Sequence, residues 1–260
     1  MTVKAAPLQR ERLAADLRAR TGGDVFFDRI TRGMYATDAS IYQIQPVGVV
    51  VPRDLGDVDA TIEVCAAAGV PVLARGGGTS QCGQTVGEAV IVDTSRFLRG
   101  ITALDLERRT VRVQPGIVLA QLNAARKADG LFFPVDPSTA NRATIGGMTA
   151  NNSSGARSIR YGTMVHNVLA IDAVLADGTR ARFDAHGSTP AALVERVRAI
   201  AQRERAEIEA RFPKVLRRVG GYNLDLVERP DFNAAQLLVG SEGTLAFFTE
   251  IELALQPLPR

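Results

Sequence analysis

The sequence predicts an α+β protein built as two α/β lobes, on three observations. Short apolar runs alternate with helix-period segments up to about residue 100, and pairs of alternating strands resembling hairpins dominate after it. An apolar strand at 70–74 also runs directly into three consecutive glycines. The length suits one large domain or two tightly joined lobes. The expected division is an N-terminal helix at 1–20, a first lobe at 21–100 and a second at 101–260.

In chain order, residues 8–20 read as an amphipathic helix and 47–51 as a buried strand. Residues 55–68 read as a helix closed by Gly69, followed by the strand 70–74 that feeds the glycine loop. Another buried strand is expected at 89–93. Beyond it, 101–106 and 110–114 form a hairpin around 107–109, followed by a helix at 118–128. Thr144 looks like the N-cap of a short helix at 145–150. A second hairpin, 168–176 with 179–183, turns at Asp177-Gly178. Helices are expected at 191–211, with room for a break, and at 233–238. In the last strand Phe247, Thr249, Ile251, Leu253 and Leu255 should share the buried face.

The densest chemistry is Arg75-Gly76-Gly77-Gly78-Thr79-Ser80, with Gly83-Gln84 just after it. Glycines are poor in packed elements but free to take positive φ, so such a loop can turn several N–H groups inward on an anion. Thr79 and Ser80 would add hydroxyls and Arg75 a charge. The dinucleotide fingerprint lacks its third glycine, because Gln81 stands there. The P-loop pattern lacks its lysine, replaced by Gln84. A pyrophosphate cradle of another kind remains. Downstream, Gly146 and Gly147 sit inside a short helix at a cost of about 1 kcal/mol each against alanine. Either a ligand at the helix N-terminus or close helix–sheet packing would justify them.

Together, residues 75–80, Pro134-Val135-Asp136-Pro137, Thr144-Ile145-Gly146-Gly147, residues 151–155, Arg157, Tyr161-Gly162 and the closing run 240–250 resemble the FAD-binding (PCMH-type) domain of the vanillyl-alcohol-oxidase superfamily. The resemblance spans about residues 40–258. It is most similar to the FAD-linked D-2-hydroxyacid dehydrogenases, including D-lactate and D-2-hydroxyglutarate dehydrogenases and glycolate oxidase subunits. Residues 211–224 further resemble large bacterial members that carry iron–sulfur modules later in the chain.

The resemblance implies noncovalent FAD lying extended between the lobes, since the tethering histidine of other members is replaced by Gly78-Thr79. Arg75, Gly76, Gly77, Gly78, Thr79, Ser80, Gly83 and Gln84 would bind its pyrophosphate. Pro137, Ser138, Thr144, Ile145, Gly146, Gly147, Asn151, Ser154 and Gly155 would follow the ribityl chain and the flavin edge. Arg157, Tyr161, Gly162 and Gly243 would complete the wall. The implied reaction is oxidation of a D-2-hydroxy acid to a 2-oxo acid by hydride transfer to the flavin. The family's base and carboxylate-binding groups come largely from a C-terminal cap domain, which the resemblance places beyond residue 260; residues 1–260 alone are expected to bind FAD without turnover. Arg218, Tyr222 and Asn223 are the substrate-side candidates within the chain. An FAD-containing electron-transfer subunit, or a nucleotide-binding module without catalysis, are the alternatives.

Composition removes other classes. The formal charge is only +3, and acidic residues interrupt the basic ones throughout, so a nucleic-acid face is not expected. Cys65, Cys82, His166 and His186 lack metal spacing, so no metal site is expected. No G-x-S-x-G elbow supports hydrolase chemistry. With no transmembrane run and no signal-peptide core, a cytoplasmic location is expected, the full-length protein having room for peripheral attachment to the inner membrane.

Overall fold

A computed structural model describes residues 7–259 of the protein. The rest of the expected 1–20 segment and Arg260 lie outside the described residues. The chain divides into two compact units, one ending at Gly100 and the other beginning at Ile101.

The first unit contains α1 (Pro7–Arg20), β1 (Asp24–Phe26), α2 (Arg29–Met34), β2 (Gly48–Val51), α3 (Leu55–Ala67), β3 (Val72–Arg75) and β4 (Val90–Asp93). Its sheet has the order β1-β2-β4-β3, with β2, β4 and β3 parallel and β1 antiparallel at the edge. β2 and β4 are buried along their whole length, as parallel strands covered on both faces must be. Val50 and Val90 pack on one side with Leu13, Leu17, Val64 and Cys65 of α1 and α3. Val49, Val51 and Ile91 pack on the other with Phe26, Tyr35 and Leu73. Burial pushes the Cys65 thiol up to about 12, so it behaves as an inert core residue. The Asp54 side chain caps α3 by accepting from the Asp57 N–H, and Gly69 leaves the helix at φ +65°. β1 and α2 have no counterpart in the sequence reading: three half-buried residues and one short, wholly unburied helix carry little periodicity.

The second unit contains β5 (Ile101–Asp105), β6 (Thr110–Val113), α4 (Leu119–Arg126), β7 (Leu131–Phe132), α5 (Ile145–Ala150), α6 (Ser158–Tyr161), α7 (Met164–Asn167), β8 (Val168–Leu175), β9 (Arg180–Asp184), α8 (Ala191–Arg203), α9 (Arg205–Arg211), α10 (Ala235–Leu238), β10 (Ala246–Ala254) and β11 (Gln256–Pro257). Five strands pair antiparallel in the order β5-β6-β10-β8-β9. Both expected hairpins are present, and the expected 191–211 helix is divided at Glu204 into α8 and α9. One sheet face, with Val111, Val113, Ile171 and Ile251, packs with Leu119, Leu122, Ile145 and Met148 of α4 and α5.

The simple alternation expected for the last strand is corrected. The β10–β8 register shifts between Phe248 and Glu250, so Ala246 and Phe248 share the core with Ile251 and Leu253. A β-bulge admits one unpaired residue, and the parity of the strand changes across it.

The opposite face of this sheet is ionic. Arg112 pairs with Asp172 (2.9 Å) and with Glu250. Arg182 reaches Asp172 (2.8 Å), Asp184 (3.3 Å) and Glu252 (2.5 Å), linking β8, β9 and β10.

Candidate functional site

β3 delivers the chain to the glycine loop at its carboxyl end, the end at which open α/β sheets bind ligands. Positive φ falls on Gly78 (+61°) and Gly83 (+78°), not on Gly76 or Gly77. Among the described residues, no backbone N–H of residues 76–81 donates to another protein atom. Six successive amides without a protein partner are uncommon, because buried and half-buried N–H groups are normally paired. The loop therefore offers donors to water or to an acceptor-rich ligand. Ser80 is buried, and its hydroxyl accepts from the Cys82 N–H (3.4 Å).

Residues 35–44 clasp the loop, a partnership the sequence reading missed. The Ala39 N–H donates to Gly78 O (3.1 Å). The Asp38 carboxylate accepts from the Thr85 hydroxyl (3.0 Å) and from the Ser40 N–H (2.8 Å). Burial works against its charge, yet the bonds from Ser40 and Thr85 prevail and hold the carboxyl below its usual range. Tyr42 lies so close to Gly83 that a Cβ there would fall 2.6 Å from its ring. The Asp38-Ala39-Ser40 turn was the available signal, since Asp bonding to the backbone two residues on marks an Asx turn.

Arg75 does not stand free in the loop. Its guanidinium donates to Thr37 O (2.7 Å), Thr85 O (3.1 Å) and Tyr35 O (3.4 Å). It also lies 5.2 Å from the centre of the Tyr35 ring, whose hydroxyl donates to Asp93 (2.6 Å). Burial, followed by that bond to the carboxylate, raises the Tyr35 pKa and keeps the phenol neutral.

In the second unit, the two glycines of α5 differ. A Cβ on Gly146 would fall 2.6 Å from Pro115 Cβ and 2.9 Å from Pro115 O, so close packing requires that glycine. A Cβ on Gly147 would meet only the Thr144 hydroxyl, at 3.3 Å, and Gly147 is exposed. The first amides of α5 are already used: Ile145 N–H donates to Ile117 O, Gly146 N–H to Pro115 O, and Gly147 N–H to the Thr144 side chain. What α5 presents is the bare backbone surface at Gly147, not a set of open N-terminal donors.

Asp136 organises the neighbouring segment. It accepts from the Arg157 N–H (3.0 Å), and Gly155 approaches it so closely that a Cβ would fall 2.1 Å from Asp136 O. Arg157 lies over the Phe132 ring (5.4 Å), which meets Tyr161 edge to face (5.8 Å). Ser154 and Asn151 are half-buried, Pro137 O accepts from the Ala140 N–H, Ser138 is exposed, and Gly162 packs against the His166 ring. Gly243 is exposed at φ +77° with open space around it.

The three substrate-side candidates separate. Asn223 is buried and donates to Gln236 O and Val239 O, a scaffold role. Arg218 pairs with Asp225 (2.6 Å) and lies over Phe212. Tyr222 stays exposed and reaches the Thr244 hydroxyl (2.8 Å), next to Gly243. His166 caps its own turn, with Nδ1 accepting from the Thr163 N–H (3.1 Å).

A groove of about 1050 Å³ between α1 and α3, lined in part by Val47, Val70 and Glu88, lies at the opposite end of the parallel strands from the loop. Among the described residues, no cluster of three or more His, Cys, Asp or Glu could hold a metal. None of their helices is long and apolar enough to cross a membrane.

Comparison with known proteins gives the context. Residues 46–184, from the edge of β2 to the end of β9, match the family model described as the FAD binding domain. D-2-hydroxyglutarate dehydrogenase of Pseudomonas putida is 37% identical over 257 residues, covering 92% of this chain and 25% of that protein. The glycolate oxidase subunit GlcD of Bacillus subtilis is 31% identical over 244 residues, covering 92% of this chain and 44% of that protein. The chain thus spans about a quarter of the length of the dehydrogenase. A solved alkyldihydroxyacetonephosphate synthase structure shares the fold, with a TM-score of 0.68 at 20% identity, covering 99% of this chain and 41% of its own. With its strand-fed glycine loop and part of each unit inside that match, the chain belongs to the FAD binding domain family, and its cofactor is FAD.

Proposed function

We propose that the loop of residues 76–84 binds the pyrophosphate of FAD through main-chain donors. The observation that carries this is the run of amides at 76–81 without a protein acceptor. Thr79, Ser80, Gly83 and Gln84 complete the pyrophosphate loop. In the second unit, the exposed Gly147 surface, with Asn151, Ser154, Gly155, Pro137 and Ser138, contacts the flavin side, while Thr144 and Ile145 are buried behind it and Gly146 packs on Pro115. Arg157, Tyr161, Gly162 and Gly243 flank it.

Gly77→Val tests the loop. Gly77 is exposed and outside the positive-φ set, so a side chain there costs the fold little while standing where the phosphates would lie. FAD fluorescence titration should show loss of binding with an unchanged far-UV spectrum. Full affinity in the variant would refute the assignment.

We propose further that the protein serves oxidation of a D-2-hydroxy acid to a 2-oxo acid, the reaction class suggested by the names of its relatives. Bound FAD would supply the hydride acceptor. The chain's own contribution is to hold the cofactor through backbone contacts, and Tyr222 is the remaining substrate-side candidate. A cap domain and iron–sulfur modules, in the cytoplasm or at the inner membrane, would be its partners. Anaerobic mixing of the flavin-loaded protein carrying its cap with D-2-hydroxyglutarate, D-lactate or glycolate should bleach the flavin band. No bleaching with any of them in the protein carrying its cap would remove this reading. Robust turnover by residues 1–260 alone would overturn the expectation that the base lies outside them.

A further inference from the structure

We infer that Arg75 is a positioning residue that holds the glycine loop from beneath, and not a ligand of the cofactor phosphates. The proposal rests on the FAD reading of the loop for its affinity measurement only.

The geometry is specific. Arg75 ends β3 and immediately precedes the glycines, where a cation would be expected to reach outward to a phosphate. Its side chain instead turns back. Nη2 donates to Thr37 O, while Nη1 is shared between Thr85 O and Tyr35 O. The three carbonyls belong to segments on either side of the loop, so one planar group joins the 35–37 segment to the loop's exit. The Tyr35 ring supports the guanidinium and is itself fixed through its hydroxyl to Asp93, the register partner of Arg75 on β4. The loop crosses directly above: a Cβ at Gly78 would fall 2.8 Å from Nη2, and Gly78 is also at positive φ. A bulkier residue at 78 would therefore push on Arg75 as well as strain the turn. The Ala39–Gly78 and Asp38–Thr85 bonds close the same clasp from the other side.

A guanidinium can do this because its donors form a rigid fork that also stacks on an aromatic ring. A lysine ammonium has the charge but neither the span nor the plane. Charge and shape thus make opposite forecasts for Arg75→Lys. If Arg75 were a phosphate ligand, lysine would largely replace it and glutamine would not. If Arg75 positions the loop, both variants lose FAD affinity alike, by roughly ten- to a hundredfold, the equivalent of one charge-assisted hydrogen bond.

Three measurements decide between the two. Hydrogen–deuterium exchange of the unliganded protein should quicken in peptides spanning 76–86 in both variants, while peptides from β2 and β4 keep their wild-type rates. FAD titration should place Arg75→Lys and Arg75→Gln together, well below wild type. Labelling the unaltered protein with p-hydroxyphenylglyoxal, read by mass spectrometry, should leave Arg75 unmodified with or without FAD. That last measurement serves even if both variants fail to fold. Near wild-type affinity in Arg75→Lys alone, wild-type loop exchange in both variants, or labelling that FAD blocks, would each overturn the proposal. If the unaltered protein bound no FAD, the cofactor reading of the loop would fail, and the exchange and labelling results would still decide what Arg75 holds.

Discussion

Gly146 and Gly147 are neighbours in α5, and alanine should act on them with opposite sign. Replacing glycine by alanine inside a helix gains about 1 kcal/mol. At Gly147 little opposes that gain, because the new methyl meets only the Thr144 hydroxyl at 3.3 Å, which must yield by a few tenths of an ångström. A net stabilisation of roughly 0.5 kcal/mol is expected. At Gly146 the methyl would enter Pro115, 2.6 Å from its Cβ and 2.9 Å from its carbonyl oxygen. Overpacking of this kind costs about 1–3 kcal/mol. Moving α5 away would also loosen the Gly146 N–H bond to Pro115 O (2.8 Å), worth about 1 kcal/mol. The two variants should therefore differ by about 2–3 kcal/mol, a gap of roughly 4–12 °C in Tm. Urea denaturation of the unliganded proteins, with equal m-values, measures it. If cofactor lies on the Gly147 surface, Gly147→Ala is at the same time the more stable protein and the weaker FAD binder. A Gly146→Ala protein as stable as Gly147→Ala would refute the packing argument.

Asn152 holds φ +47° and accepts from the Thr163 hydroxyl and the buried Val165 N–H, so Asn152→Ala should cost about 2–4 kcal/mol by chemical denaturation, with Asn152→Gly recovering the backbone share. Burial lowers the His166 pKa from 6.5, so below that pH the unfolded chain takes up a proton before the folded one. Stability should be flat just above pH 6.5 and fall as pH drops through the window down to the lowered value. Urea midpoints at pH 7.5 and 5.5 should show this fall, and show less of it in His166→Gln; an unchanged fall in that variant would count against the assignment. FAD should be held noncovalently, since Gly78-Thr79 offers no tethering side chain, so acid precipitation should release all flavin to the supernatant. Flavin fluorescence on a denaturing gel band would contradict this.

The strand 72–75, the loop after it and the Thr144-capped helix were legible because glycine runs and caps are local signals. The reason for each glycine was not. Gly146 and Gly147 look alike in sequence, and only the position of Pro115 distinguishes packing from an open surface. The clasp by residues 35–44 escaped notice because it joins segments some forty residues apart, through backbone carbonyls that carry no sequence signature. Arg218 and Asn223 were plausible by residue type, yet their polar atoms answer to Asp225, Gln236 and Val239 within the scaffold. In β10 the alternation looked regular through Thr249, and a bulge is invisible until the partner strand fixes which residue is unpaired.

The ionic face of the second sheet has a consequence for how its strands find one another. The apolar face forbids a slip of one residue, which would turn its whole set of core side chains to solvent. It is less strict about a slip of two, which restores the same parity. Arg112 and Arg182 supply the missing stringency, because each reaches carboxylates on two neighbouring strands within a short stretch of the ladder. A two-residue shift of β8 that carries Asp172 away from Arg112 would break that pair, and a shift of β10 that carries Glu252 away from Arg182 would break the other. The two faces thus check alignment at different spacings, and the β8–β10 pair, though its register shifts twice, has one arrangement that satisfies both.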